Sequence, residues 1–256
     1  MTPPKRLERP DVVFLDLGDT LVRAHPSWVE VYAKAFPTFG VEIARDDFQR
    51  AFSDAFEEGE NEGPFEATEE ASYRRLKELD GRVFAKLGYP DLPDDFFRRV
   101  EDAFAADTSW WVFPDVIPAL DALVANGIRL AVISNWSWQA PELLHDLELA
   151  RHFEALIISA RVGYLKPHRG IFEHALGVMG VSPDRAVHVG DSVRADVEGS
   201  RAAGITPVLI DRSTHVHAHH NDELPRDVPV ITDLFGLLDL LNVPRPEAAA
   251  AVSRAG

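Results

Sequence analysis

After Phe113 the chain alternates short apolar runs with amphipathic stretches of helical length, and this alternation constrains the fold more than any other feature. The apolar runs are RLAVIS (129–134), ALIIS (155–159), AVHVG (186–190), TPVLI (206–210) and VPVI (228–231). Between them lie segments such as IFEHALGVMG and ADVEGSRAAG, the latter closed by Gly204 as a C-cap. Strand–helix alternation of this kind builds a parallel sheet through right-handed crossovers, with helices on both faces. A lone strand is not stable in water, so VVFL (12–15) belongs to the same sheet. The expected class is therefore α/β, a doubly wound, Rossmann-like parallel sheet.

From about Pro26 to Ala105 the spacing is helical instead. Trp28, Val31, Tyr32, Ala35 and Phe36 share one face, as do Phe48, Phe52 and Phe56. Leu76, Leu79, Val83 and Leu87 form a third stripe, and Phe97, Val100 and Phe104 a fourth, with Pro37, Gly63-Pro64 and Pro90 to Pro93 as separators. These residues predict an all-helical domain of about four helices over 25–109, inserted into an α/β domain made of 1–24 and 110–256. The Phe stripes read as the core of the insertion, and Trp110 and Trp111 as packing where it closes. The tail after Pro244 carries no core pattern and is expected to be mobile.

Composition removes several classes. There are no cysteines, which excludes disulfides, thiolate metal sites and a cysteine nucleophile. The net charge of −16 argues against nucleic acid or an anionic membrane surface as partner. It bears little on a small phosphorylated molecule, because charges beyond ~10 Å are screened at 0.1 M salt. No apolar run is long enough to span a membrane, and MTPPKRLERPDVVFLDLGDT lacks a signal-peptide pattern, so a cytoplasmic location is expected. Only five of the 26 basic residues are lysines, which singles out Lys166 in its loop GYLKP.

Asp16 ends the first strand, Ser134 the second and Asp191 the fourth, and Lys166 follows the third. Open parallel sheets bind ligands beyond the carboxyl ends of their strands, so one crevice can hold all four. Asp196 lies just inside the next helix and points back to the same place. Two carboxylates at ~4 Å repel by about 4 kcal/mol at an effective dielectric near 20. Asp16, Asp191 and Asp196 are therefore balanced by one divalent cation together with Lys166. An all-oxygen donor set favours Mg²⁺ over zinc. The backbone after Ser192 opens a helix and leaves N–H groups for an anion.

At VVFLDLGDTL, VISN, LKP and VGDSVRAD the chain resembles the haloacid dehalogenase-like hydrolase superfamily, over roughly 11–24 and 110–241. The resemblance implies that the helical insertion is a cap. It further implies a Mg²⁺-dependent phosphohydrolase acting on a small phosphorylated metabolite, with Asp16 as nucleophile and an aspartyl-phosphate intermediate. Ser134 and Asn135 would bind the substrate, and Lys166 would bind it while ordering Asp16. Mg²⁺ would sit on Asp16, the Gly18 carbonyl and Asp191, supported by Asp196.

One position departs from the family pattern: the usual acid/base aspartate two residues after the nucleophile is Gly18, with Asp19 one residue later as the candidate replacement. Two rivals stay open. The first is an attenuated phosphate- or partner-binding protein, motivated by Gly18. The second is a 2-haloacid dehalogenase, a branch that lacks the second aspartate but does not need the metal that Asp191 and Asp196 imply. His25 follows the motif turn and is a further candidate for substrate contact. Trp136 and Trp138 read equally as rim or as packing. His215, His217, His219 and His220 read as a solvated loop. Nothing in the sequence sets the oligomeric state.

Overall fold

The computed structural model describes residues 7–57, 63–212 and 227–246. Strand β1 (Val12–Leu15) leads to β2 (Val22–Ala24) and then to five helices, α1 (Trp28–Ala33), α2 (Phe36–Phe39), α3 (Arg45–Glu57), α4 (Glu69–Lys86) and α5 (Asp94–Ala105). Next come β3 (Trp110–Val112), α6 (Val116–Ala125), β4 (Arg129–Ser134), α7 (Ala140–Asp146), β5 (Ala155–Ile158), α8 (Ser159–Val162) and α9 (Arg169–Met179). After β6 (Ala186–Gly190), a π-helical turn (Val193–Glu198) runs into α10 (Gly199–Ala202), followed by β7 (Thr206–Ile210), β8 (Val230–Ile231) and α11 (Leu234–Leu240).

Six strands form one sheet in the order β5-β4-β1-β6-β7-β8, and every pairing is parallel. Successive β1 residues face opposite layers. Val13 and Leu15 join Leu120 and Leu123 of α6 and Leu237 and Leu238 of α11, whereas Val12 and Phe14 join Ile171, Phe172 and Leu176 of α9. Burial on both faces is why β1 is an unbroken apolar run rather than an alternating one. β1 lies between β4 and β6, where the strand order reverses direction, so the loops after these three strands open into a common crevice.

Several expectations need correction. β2 and β3 pair antiparallel as a separate two-stranded ribbon, Val22 opposite Val112 and Ala24 opposite Trp110. Strands of three residues are too short to show a period of two. Trp110 is therefore a strand residue, and its indole N–H donates to Phe104 O at 2.9 Å. Ser159 leaves β5 to open α8, and the run at 228–231 pairs only through Val230 and Ile231. Pro37 does not separate helices but sits in the first turn of α2, where its missing N–H costs nothing. Among the described residues the α-helices between β2 and β3 number five, with an aromatic core of their own in which the Phe84 and Phe96 rings meet nearly at right angles, centroids 4.8 Å apart. Residues His215 to His220 and the tail from 247 lie outside the described residues. No described helix is long and apolar enough to cross a membrane.

Candidate active site

The Asp16 N–H donates to Val189 O at 2.9 Å, which continues the β1–β6 ladder one residue and carries the Asp16 side chain to the strand end. Lys166 Nζ donates to Asp16 Oδ1 and to Asp196 Oδ1, both at 2.6 Å, and all three residues are buried. The same Asp196 Oδ1 accepts His188 Nε2 at 2.8 Å, while Asp196 Oδ2 accepts the Ser192 N–H at 3.0 Å. The acceptor is an oxygen of a carboxylate, so His188 Nε2 is the donor in this bond.

Local sequence explains this convergence. Ser192 Oγ caps the π-helical turn by accepting the Ala195 N–H at 3.0 Å, and the turn folds Asp196 back onto the end of β6. A Cβ at Gly190 would stand 2.1 Å from Asp196 Cγ, so only glycine fits beneath that carboxylate. Lys166 is fixed through its backbone: Asn135 Nδ2 donates to Lys166 O at 2.9 Å, and the Lys166 N–H donates to Asn135 Oδ1 at 2.7 Å. Asn135, expected among the substrate-binding residues, thus has both ends of its amide engaged by Lys166. Ser134 is buried at the end of β4, in register beside Ile158.

Carboxylate oxygens of Asp16, Asp191 and Asp196 lie within 4.8 Å of one another. Burial lifts the Asp16 carboxyl above its usual range, against the pull of Lys166. Asp191 is lifted further, by loss of water and then by Asp16, Asp196 and Asp19. Burial also works against the Asp196 anion, but Lys166 and His188 outweigh it and hold that carboxyl below its usual range. Burial likewise disfavours the Lys166 ammonium, yet Asp16 and Asp196 hold it above the usual lysine range. Three carboxylates and one ammonium leave two negative charges, with Asp191 the least compensated. Oxygen donors in that balance fit a hard divalent cation such as Mg²⁺. Asp16 and Asp191 are the freer ligands, since both Asp196 oxygens already accept from protein donors.

Asp19 has a left-handed backbone, φ 49°, which aspartate tolerates better than most residues, and its N–H donates to Val22 O at 2.7 Å. It is a turn residue whose charge still reaches Asp191. Gly18 is not held at a left-handed angle; a Cβ there would meet Trp136 Cζ3 at 3.2 Å. His25 is exposed, its backbone N–H bonded to Ser109 O at 2.8 Å. His188 is a site residue beyond those the sequence motifs single out, and a histidine inside the apolar strand AVHVG is its signal. Trp136 meets Gly18, which lies far away in sequence.

The segment between β2 and β3 hydrogen-bonds to this region. The Phe65 N–H donates to Gly163 O at 2.9 Å, the Trp138 N–H to Ser72 Oγ at 3.1 Å, and Gln139 Nε2 to Glu101 Oε1 at 3.2 Å.

A model of the haloacid dehalogenase-like hydrolases matches residues 10–204. The haloacid dehalogenase-like hydrolase domain-containing protein 3 of Mus musculus is 28% identical over 237 residues, covering 90% of this chain and 94% of its own. A glyceraldehyde 3-phosphate phosphatase of Methanothermobacter thermautotrophicus is 35% identical over 134 residues, 50% of this chain and 58% of its own. Among solved structures, the HAD-hydrolase YfnB of Bacillus subtilis has a TM-score of 0.71 over 92% of this chain and 100% of that one, at 16% identity, a likeness of fold.

Proposed function

The chain belongs to the haloacid dehalogenase-like hydrolases, and from that premise we propose that it is a Mg²⁺-dependent phosphatase of small phosphomonoesters, with Asp16 as nucleophile. The observation that carries this reading is the buried Asp16–Lys166–Asp196 bridge beside Asp191, a cluster left with two uncompensated negative charges. A bound Mg²⁺ on Asp16, Asp191 and the Gly18 carbonyl supplies the missing charge and polarises the phosphoryl group.

In the first half-reaction the Asp16 carboxylate attacks phosphorus, a P–O bond to Asp16 forms, and the P–O bond to the alcohol breaks. The departing oxygen takes a proton from Asp19, the buried carboxyl nearest in sequence to the vacant acid/base position. In the second, water attacks the aspartyl-phosphate, giving its proton to Asp19 and returning Asp16 and inorganic phosphate. Lys166 holds Asp16 in place and offsets charge at the transferring phosphoryl group, and Ser134 donates to one of its oxygens. Residues 25–109 act as a cap: the contacts of Phe65, Ser72 and Glu101 with the loops after β4 and β5 support closure over the crevice, which excludes water and large substrates.

The relative named as a glyceraldehyde 3-phosphate phosphatase supports phosphoester over carbon–halogen hydrolysis. Gly18, with Trp136 against it, favours one alternative, a phosphate-binding protein of low turnover. A panel of phosphorylated metabolites, assayed with Mg²⁺ and with excess EDTA beside a 2-haloacid, tests the proposal. Phosphate release only with Mg²⁺ is expected. Halide release that persists in EDTA would replace this reading with the dehalogenase one.

A further inference from the structure

Resting on that reading, we propose that Trp136 selects the leaving group, favouring phosphomonoesters whose carbon skeleton is flat and apolar beside the phosphate. The benzenoid edge of its indole stands against the backbone of Gly18, two residues from Asp16, with Cζ3 at 3.2 Å from where a Cβ would be. It therefore occupies the space that a side chain at position 18 would enter.

The backbone that carries the ring is fixed: the Trp136 backbone N–H donates to Ser159 Oγ at 3.1 Å, and the Ser159 hydroxyl donates back to the Trp136 carbonyl at 3.2 Å. The indole packs on Trp110, ring centroids 4.7 Å apart, and Trp110 in turn packs on Trp28 at 5.4 Å. The flanking residues are tied as well, Asn135 to Lys166 and Trp138 to Ser72. Trp136 is nevertheless only half-buried, so part of the ring stays available. A preorganised aromatic surface binds a planar apolar group without paying to order itself.

Binding separates this selectivity from turnover. Mg²⁺-loaded protein is titrated by calorimetry with phenylphosphonate, methylphosphonate and orthophosphate. The wild-type chain is expected to bind the phenyl compound about fivefold more tightly than the methyl compound, the worth of one aromatic contact. Trp136→Phe should keep most of that ratio, and Trp136→Leu, apolar but without a ring, should bring it close to one. Thermal melting establishes that both variants are folded. Equal binding of the two phosphonates by wild type, or a ratio untouched in Trp136→Leu, would overturn the inference while orthophosphate binding leaves the phosphatase reading standing. Absence of orthophosphate binding together with absence of phosphate release from any ester would overturn both.

Discussion

Asn135 and Lys166, 31 residues apart, exchange two hydrogen bonds, amide nitrogen to carbonyl and N–H to amide oxygen, at 2.9 and 2.7 Å. The lysine that bridges Asp16 and Asp196 is thus set in place by the residue that follows β4. Asn135→Leu should lower kcat/KM by about 30-fold, close to the 2 kcal/mol of two lost hydrogen bonds. Because Asn135 acts through Lys166, small phosphoesters of different leaving groups should lose equally. A loss confined to the KM of one substrate would assign Asn135 to substrate contact instead.

Gly190 tests the packing beneath Asp196. With a Cβ only 2.1 Å from Asp196 Cγ, Gly190→Ala must push that carboxylate off Lys166 and His188. Destabilisation of about 2 kcal/mol, in the range of a backbone-limited overpacking, should appear in urea unfolding, with weakened Mg²⁺ affinity beside it. Unchanged stability and metal binding would mean that the strand end shifts freely.

The vacancy at Gly18 has a steric consequence. Leaving-group protonation should be the weak step, so aryl phosphates should react far better than alkyl phosphates, which need a proton. Gly18→Asp alone should raise alkyl phosphate turnover by much less than the ~10² to 10⁴ of a positioned acid/base, because Trp136 stands in the way. Gly18→Asp with Trp136→Ala should do better than either change alone. Asp19→Asn should abolish alkyl phosphate hydrolysis; survival of that activity would show that the proton comes from elsewhere.

The parts of this site that were legible in the sequence are those that end apolar strands. Asp16, Ser134 and Asp191 each interrupt such a run, and parallel order alone brings strand ends together. What was not legible depends on contacts distant along the chain. Asn135 reads as turn chemistry until its amide is seen on Lys166. Gly18 and Trp136 meet only because β1 and β4 are neighbours in the sheet. His188 occupies a strand position that packing normally gives to an apolar residue, and its reason is Asp196 on the following turn. β2 and β3 were missed because three residues cannot display a period.

The carboxyl shifts set a pH dependence for the metal-free protein. Asp16 and Asp191 hold their protons more tightly folded than unfolded, as does Glu101, chiefly through burial. Stability from such groups is fully present below the ordinary carboxyl range near ~4 and is lost as pH rises through their folded values. Asp196 shifts the other way and acts only below ~4, where stability falls as it protonates. In EDTA, Tm should therefore rise as pH is lowered from 8 toward about 5. Asp191→Asn should flatten that slope in part, leaving the contributions of Asp16 and Glu101. Saturating Mg²⁺ should reverse it, because protonation then competes with the cation. A slope identical with and without Mg²⁺ would remove the cation from the cluster.

The most direct measurement is rapid acid quenching of wild type and Asp16→Asn during turnover of an aryl phosphate with Mg²⁺, followed by peptide mass spectrometry. The expected result is one added phosphoryl group on the peptide carrying Asp16 in wild type, absent in Asp16→Asn and absent in EDTA. A phosphoryl group on another residue, or turnover by Asp16→Asn above a few percent of wild type, would contradict the assignment of Asp16 as the nucleophile.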